Sequence, residues 1–129
     1  MIMITGGAYQ GKTEFAKSHF GIADCDIING GDCPFDSLFS AKCVKNYHLL
    51  VKRLLSEEYD PREYTEKLCG ENPGLIVIID EIGCGIIPVE KSERKWREET
   101  GRAGCIIASR SSAVIRLNCG IPSAIKGRL

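Results

Sequence analysis

The chain has 129 residues, and 17 lysines and arginines stand against 17 aspartates and glutamates, a formal net charge of zero. That balance supplies no basic stripe for a nucleic-acid backbone or an anionic membrane, so any anion recognition has to be local. The length suits a single domain, 1–129, with a real core and little room for a second one.

The apolar stretch before Gly6 is too short for a signal-peptide core and no later run approaches a membrane span, so a cytoplasmic location is expected. The seven cysteines, Cys25, Cys33, Cys43, Cys69, Cys84, Cys105 and Cys119, contain no C-x-x-C pair and are odd in number. Reduced, mostly buried thiols are expected rather than zinc ligands or a disulfide framework. Cys84, between two glycines, is the thiol to test for reactivity.

Met1 to Ile4 reads as a strand that runs into Gly6-Gly7-Ala8-Tyr9-Gln10-Gly11-Lys12-Thr13, a fit to G-x-x-x-x-G-K-[ST], and Glu14 onward reads as a helix that Gly21 ends. In that order the glycines turn backbone N–H groups onto a phosphate while the new helix aims its positive end at the same place. Lys12 is then expected to reach the outer phosphates, and Thr13 to hold magnesium.

A short strand at Asp26–Asn29 leads into a second glycine turn, and Asn29, Gly30 and Gly31 either lie beside the nucleotide or form an ordinary strand-to-helix turn. From Asp36 to Leu55, apolar residues recur at three- and four-residue spacing, which predicts one amphipathic helix packed on a sheet. His48 sits beside its stripe, where an approach to a cleft competes with a structural or solvated role.

Asp60-Pro61-Arg62-Glu63 reads as a helix start, with Asp60 as cap and the helix running to about Cys69. After the Asn72-Pro73-Gly74 turn, Leu75 to Ile79 is apolar without alternation, as in a central strand covered on both faces. It ends in Asp80-Glu81. An acidic residue there serves a magnesium nucleotide, so Asp80 is the expected metal partner and Glu81 the group that orients an acceptor hydroxyl or takes its proton. Two solvated acids ending a strand are the alternative.

Gly83 to Pro88 reads as a loop, and Glu90 to Thr100 as a charged helix bounded by Gly101. Arg97 and Arg102 are candidates for neutralising transferred phosphate, against the competing account of a salt-bridged, solvated face. Ala113 to Leu117 is the last expected strand. Four strands separated by helical segments give an α/β fold, a mostly parallel sheet with helices on both faces.

Asp80-Glu81-Ile82-Gly83-Cys84-Gly85-Ile86-Ile87-Pro88, then Arg94, Trp96-Arg97-Glu98 and Gly101-Arg102, resembles the signature of the adenosylcobinamide kinase/adenosylcobinamide-phosphate guanylyltransferase family. The family's opening G-G-A-R-S-G-K-S is similar to Gly6–Thr13, and its closing G-x-P-x-x-x-K-G to Gly120–Gly127. The resemblance implies a P-loop NTPase-like fold, magnesium, ATP or GTP as co-substrate, a corrinoid alcohol as acceptor, and assembly as a homo-oligomer, a trimer. It also implies two reactions, phosphorylation of the corrinoid hydroxyl and transfer of GMP to that phosphate through a guanylylated histidine. The family's H-R-x-x-R-P-x-x-W segment is absent, which leaves His48 as the candidate for a GMP adduct without its usual neighbours. A nucleotide-binding module lacking one or both activities is the alternative.

Overall fold

Alternation along the inner strands sorts the core into two layers, one on each face of a single sheet. The computed structural model describes residues 1–82 and 90–129. Its six strands, β1 (Ile2–Gly6), β2 (Ile27–Asn29), β3 (Cys43–Lys45), β4 (Ile76–Asp80), β5 (Ala113–Asn118) and β6 (Ile121–Lys126), lie in the order β2-β3-β4-β1-β5-β6. All neighbours are parallel except β5 and β6. The α/β fold with a mostly parallel sheet is therefore as the sequence indicates.

Ile4, Cys43, Ile76, Ile78, Ile115 and Leu117 form one layer and pack on Ala16 of α1 (Lys12–Phe20). Met3, Val44, Val77, Ile79 and Val114 form the other, beneath α2 (Tyr47–Ser56), α3 (Pro61–Glu71) and α4 (Lys91–Arg110). Each aliphatic side chain so buried contributes about 1.5–3 kcal/mol. In β4 the four residues from Ile76 to Ile79 are all buried, which explains a strand with no polar alternation.

Three expectations are corrected. The single helix over 36–55 is instead a 3-10 turn at Phe35–Ser40, strand β3, and helix α2. Cys43 and Val44 are buried on opposite faces of the sheet, so a three-residue strand falls in phase with the helical spacing around it. Asn46 makes the break, at a left-handed φ of 58°, with its side-chain amide donating to Asn29 Oδ1 at 3.0 Å. The charged helix does not stop at Gly101 but runs through Gly101 and Gly104 to Arg110. A fifth and a sixth strand exist, β3 and β6, the latter reached by a tight turn with Cys119 and Gly120 both at positive φ, as a two-residue hairpin of the primed type requires.

Asp60 caps α3 as expected, Oδ1 accepting the Arg62 N–H at 3.0 Å. Cys25, Cys33, Cys43, Cys69, Cys105 and Cys119 are free thiols, and Cys25, Cys105 and Cys119 are exposed, so the thiols are less buried than the sequence suggested. Cys84 and the Gly83–Pro88 loop lie outside the described residues. Among the described residues, no helix is long and apolar enough to cross a membrane.

Candidate functional site

β1 ends at Gly6 with φ 147°, where a Cβ would lie 2.5 Å from the Leu117 carbonyl oxygen, so only glycine lets the chain turn this close to β5. The loop that follows lifts Tyr9 fully into solvent and returns through Gly11, φ 86°, into α1. The β5–β6 turn braces it from beside: Gly120 N–H donates to the Gln10 carbonyl at 3.1 Å, and Cys119 N–H to the Gln10 side-chain oxygen.

Lys12 is 6% exposed and crosses the loop instead of reaching outward. Its ammonium donates to the Gly7 carbonyl at 2.6 Å and pairs with Asp80 Oδ1 at 2.7 Å. Gly6 and Asp80 are register partners of β1 and β4, which is why the pair meets. Loop residues 8–14 with Asn46, Ile78 and Asp80 line a cleft of about 340 Å³. Thr13 and Asp80 thus share one cavity.

Consecutive residues of an extended chain point to opposite faces, and Asp80 and Glu81 obey this. Asp80 follows Ile78 toward the α1 face and Lys12. Glu81, whose N–H extends the ladder to Gly6 O at 2.8 Å, pairs with Arg116 Nε at 2.8 Å on the face of Met3 and Val114. Register supports this, since Arg116 lies beside Thr5.

His48, at the start of α2 and 6% exposed, is neither solvated nor remote. Its Nδ1 accepts the Asp80 N–H at 3.2 Å, so the neutral ring carries its proton on Nε2, which lies 3.5 Å from Asp80 Oδ2. Burial holds its pKa below the usual histidine value; the Asp80 charge opposes that and the Lys12 charge adds to it. Trp96 of α4 fixes the backbone there, donating from Nε1 to the His48 carbonyl at 2.7 Å. Lys12, Asp80 and His48 therefore form one chain of contacts.

Other sequence candidates fall elsewhere. β2 is an edge strand, separated from β1 by β3 and β4, and Asn29, Gly30 and Gly31 do not line the cleft. They serve it at one remove: Asn29 Oδ1 accepts from Gly31 N–H at 2.9 Å and from Asn46, a cleft residue that sequence reasoning missed. Arg102 is exposed and pairs with Glu98 one turn back on α4 at 2.6 Å, the geometry of the salt-bridged face. Arg97 is half-buried on the same helix, and neither arginine lines the cleft. Arg116, also missed, is a lone charge within the apolar run of β5.

The donor set bears on magnesium. Among the described residues no three histidine, cysteine, aspartate or glutamate side chains gather as a metal group. Magnesium needs no such cage; it takes one or two carboxylates and completes its shell with water and substrate phosphate oxygens. Thr13 and Asp80 fit an ion that arrives with a nucleotide.

No curated protein sequence matches the chain. The family model for cobinamide kinase / cobinamide phosphate guanyltransferase matches residues 43–125, well over half of the chain, from β3 through Asp80, Glu81 and α4 into β6. The glycine loop precedes the matched segment and joins it in space through Gly6, Lys12 and Asp80. On that match, the chain belongs to the cobinamide kinase / cobinamide phosphate guanyltransferase family.

Proposed function

We propose that the chain is a nucleotide-dependent kinase that transfers the terminal phosphate of ATP or GTP to the hydroxyl of a cobinamide-type alcohol. The observation that carries this reading is the division of labour at the end of β4: Asp80 turns to Lys12 and the loop cleft, and Glu81 turns to the opposite face. Donor and acceptor chemistry are thereby given separate sides of one strand end.

In the proposed reaction the loop amides and the α1 N-terminus hold the phosphates, and Lys12 exchanges the Gly7 carbonyl and Asp80 for phosphate oxygens. Thr13 and Asp80 hold the magnesium ion, which supplies charge neutralisation at the phosphates. The acceptor oxygen bonds to the terminal phosphorus, the bond from that phosphorus to the bridging oxygen breaks, and the nucleoside diphosphate leaves. Glu81 accepts the hydroxyl proton, with Arg116 Nε holding its carboxylate in place through contacts to both oxygens. Arg97 and Arg102 act on phosphate only after a rotation along α4; for Arg102 this means exchanging Glu98 for the ligand.

Guanylyl transfer through His48 is not part of the proposal. A histidine nucleophile attacks with its unprotonated nitrogen, and in His48 that atom is Nδ1, occupied by the Asp80 N–H in a ring that is almost fully buried. The geometry suits a positioning role, with His48 orienting Asp80. The test is a magnesium assay with cobinamide and GTP or ATP labelled on the terminal phosphate, against a Lys12→Ala control. Phosphocobinamide above the control supports the reading, and its absence refutes it.

A further inference from the structure

The pattern G-x-x-x-x-G-K-[ST] leaves Gln10 unspecified, yet the fold gives this residue two bonds from outside the loop. Cys119 and Gly120 are the central residues of the β5–β6 turn, flanked by the paired Asn118 and Ile121. Hairpin bonding uses the flanking residues and leaves the two central N–H groups without a partner in the turn. Both go to Gln10: Gly120 N–H donates to its main-chain carbonyl at 3.1 Å, and Cys119 N–H to its side-chain oxygen. The backbones also touch, since a Cβ on Gly11 would lie 3.6 Å from Gly120 Cα.

The direction of the main-chain bond matters for an anion. The Gln10–Gly11 peptide is trans, so the Gln10 carbonyl and the Gly11 N–H point in opposite directions. With the carbonyl turned to Gly120, the Gly11 N–H faces away from the β5–β6 turn. Gly11 lines the cleft, whereas Cys119 and Gly120 do not. The side chain steadies the other arm of the loop. A Cβ on Gly7 would touch Gln10 Cγ at 3.7 Å, so the glutamine stem lies against the residue whose carbonyl holds Lys12.

We propose that Gln10 is a positioning residue for the nucleotide phosphates: its two bonds to the β5–β6 turn hold the loop of the free protein in the form that receives them. Ordering the loop in advance removes that cost from binding. By linkage, a bound nucleotide strengthens the same two bonds by the same factor. The assignment rests on the phosphate-site part of the kinase reading and is independent of the acceptor.

The test compares wild type with Gln10→Met, which keeps the side-chain length and removes the acceptor. Gln10 is half-buried on a loop, and Gln10→Asn, whose oxygen falls one methylene short of Cys119, serves as the second variant if Gln10→Met does not fold. In the free protein, amide exchange read by NMR should be three- to tenfold faster at Cys119 in Gln10→Met, roughly the worth of one neutral hydrogen bond. Gln10→Glu keeps an acceptor oxygen and should keep Cys119 protected. Calorimetry with magnesium and GTP or ATP should show nucleotide bound about three- to tenfold more weakly by Gln10→Met. In the kinase assay the nucleotide KM should rise by that factor with the cobinamide KM unchanged. A variant that is merely less stable lowers the active fraction and moves neither KM.

Unchanged nucleotide affinity in Gln10→Met overturns the proposal and leaves the kinase reading standing, as does equal Cys119 exchange in the two proteins. Wild type that binds neither GTP nor ATP overturns both. Weakened binding in Gln10→Met, with no phosphocobinamide formed by wild type, supports the role of Gln10 and refutes the kinase reading.

Discussion

Breaking the Lys12–Asp80 pair from its two ends should have unequal consequences. At 2.7 Å the charges attract by about 6 kcal/mol for an effective dielectric constant of about 20. Desolvation offsets much of this. In Asp80→Asn the ammonium stays 6% exposed with only the Gly7 carbonyl, so the loss should be about 3 kcal/mol, the low end for a broken buried pair. In Lys12→Met the remaining carboxylate is 21% exposed and can hydrate, so the loss should be about 1 kcal/mol. The double variant should resemble Lys12→Met, giving a coupling energy of about 2–3 kcal/mol by urea unfolding at neutral pH. Asparagine keeps an oxygen for His48 Nε2–H, which isolates the charge. An Asp80→Asn protein within about 0.5 kcal/mol of wild type would refute the claim that this pair is a buried latch.

Other outcomes follow from the same geometry. Glu81→Gln should lower the phosphorylation rate by about a hundredfold with nucleotide affinity unchanged, measured by steady-state kinetics and calorimetry. Gly6→Ala should cost more than about 2 kcal/mol, because its Cβ meets the Leu117 carbonyl at 2.5 Å, whereas Gly101→Ala should stabilise by up to about 1 kcal/mol. Paired thermal melts read both signs. The Cys43 thiol is pushed up to about 11, first by burial and then by the Asp26 charge. The unfolded thiol ionises near 9 and the folded one does not, so stability due to this group is present below pH 9 and is lost as pH rises toward 11. The difference in urea midpoint between wild type and Cys43→Ala should narrow over that window. GTP labelled on the α-phosphate should leave no acid-labile label on the protein, in wild type or in His48→Asn.

What the sequence made legible was local. The glycine loop carries its flanking strand and helix within 20 residues, β4 is an uninterrupted apolar run, and Asp60-Pro61 announces α3 through a cap that spans two residues. What it hid depends on partners far along the chain. β3 is three residues long, and only the bond from Asn46 to Asn29 and the pairing with β2 and β4 separate it from a helix. Gly101 looks like a helix end because glycine usually is one, yet Ala103 and Ile107 beyond it are fully buried and hold α4 on the sheet. The opposed directions of Asp80 and Glu81 follow from strand alternation, but their partners Lys12, His48 and Arg116 come from three other elements. Of these, only Lys12 had a motif to mark it.

The central claim is that one strand end sets a donor site against an acceptor site for phosphate transfer, without a guanylylated histidine. A single reaction with cobinamide and magnesium, run in parallel with GTP labelled on the terminal phosphate and on the α-phosphate, tests it directly. The account predicts terminal label on cobinamide, lost in Lys12→Ala, and no α-label on protein or product. An α-label that reaches product through His48, or terminal transfer that survives in Lys12→Ala, would contradict it.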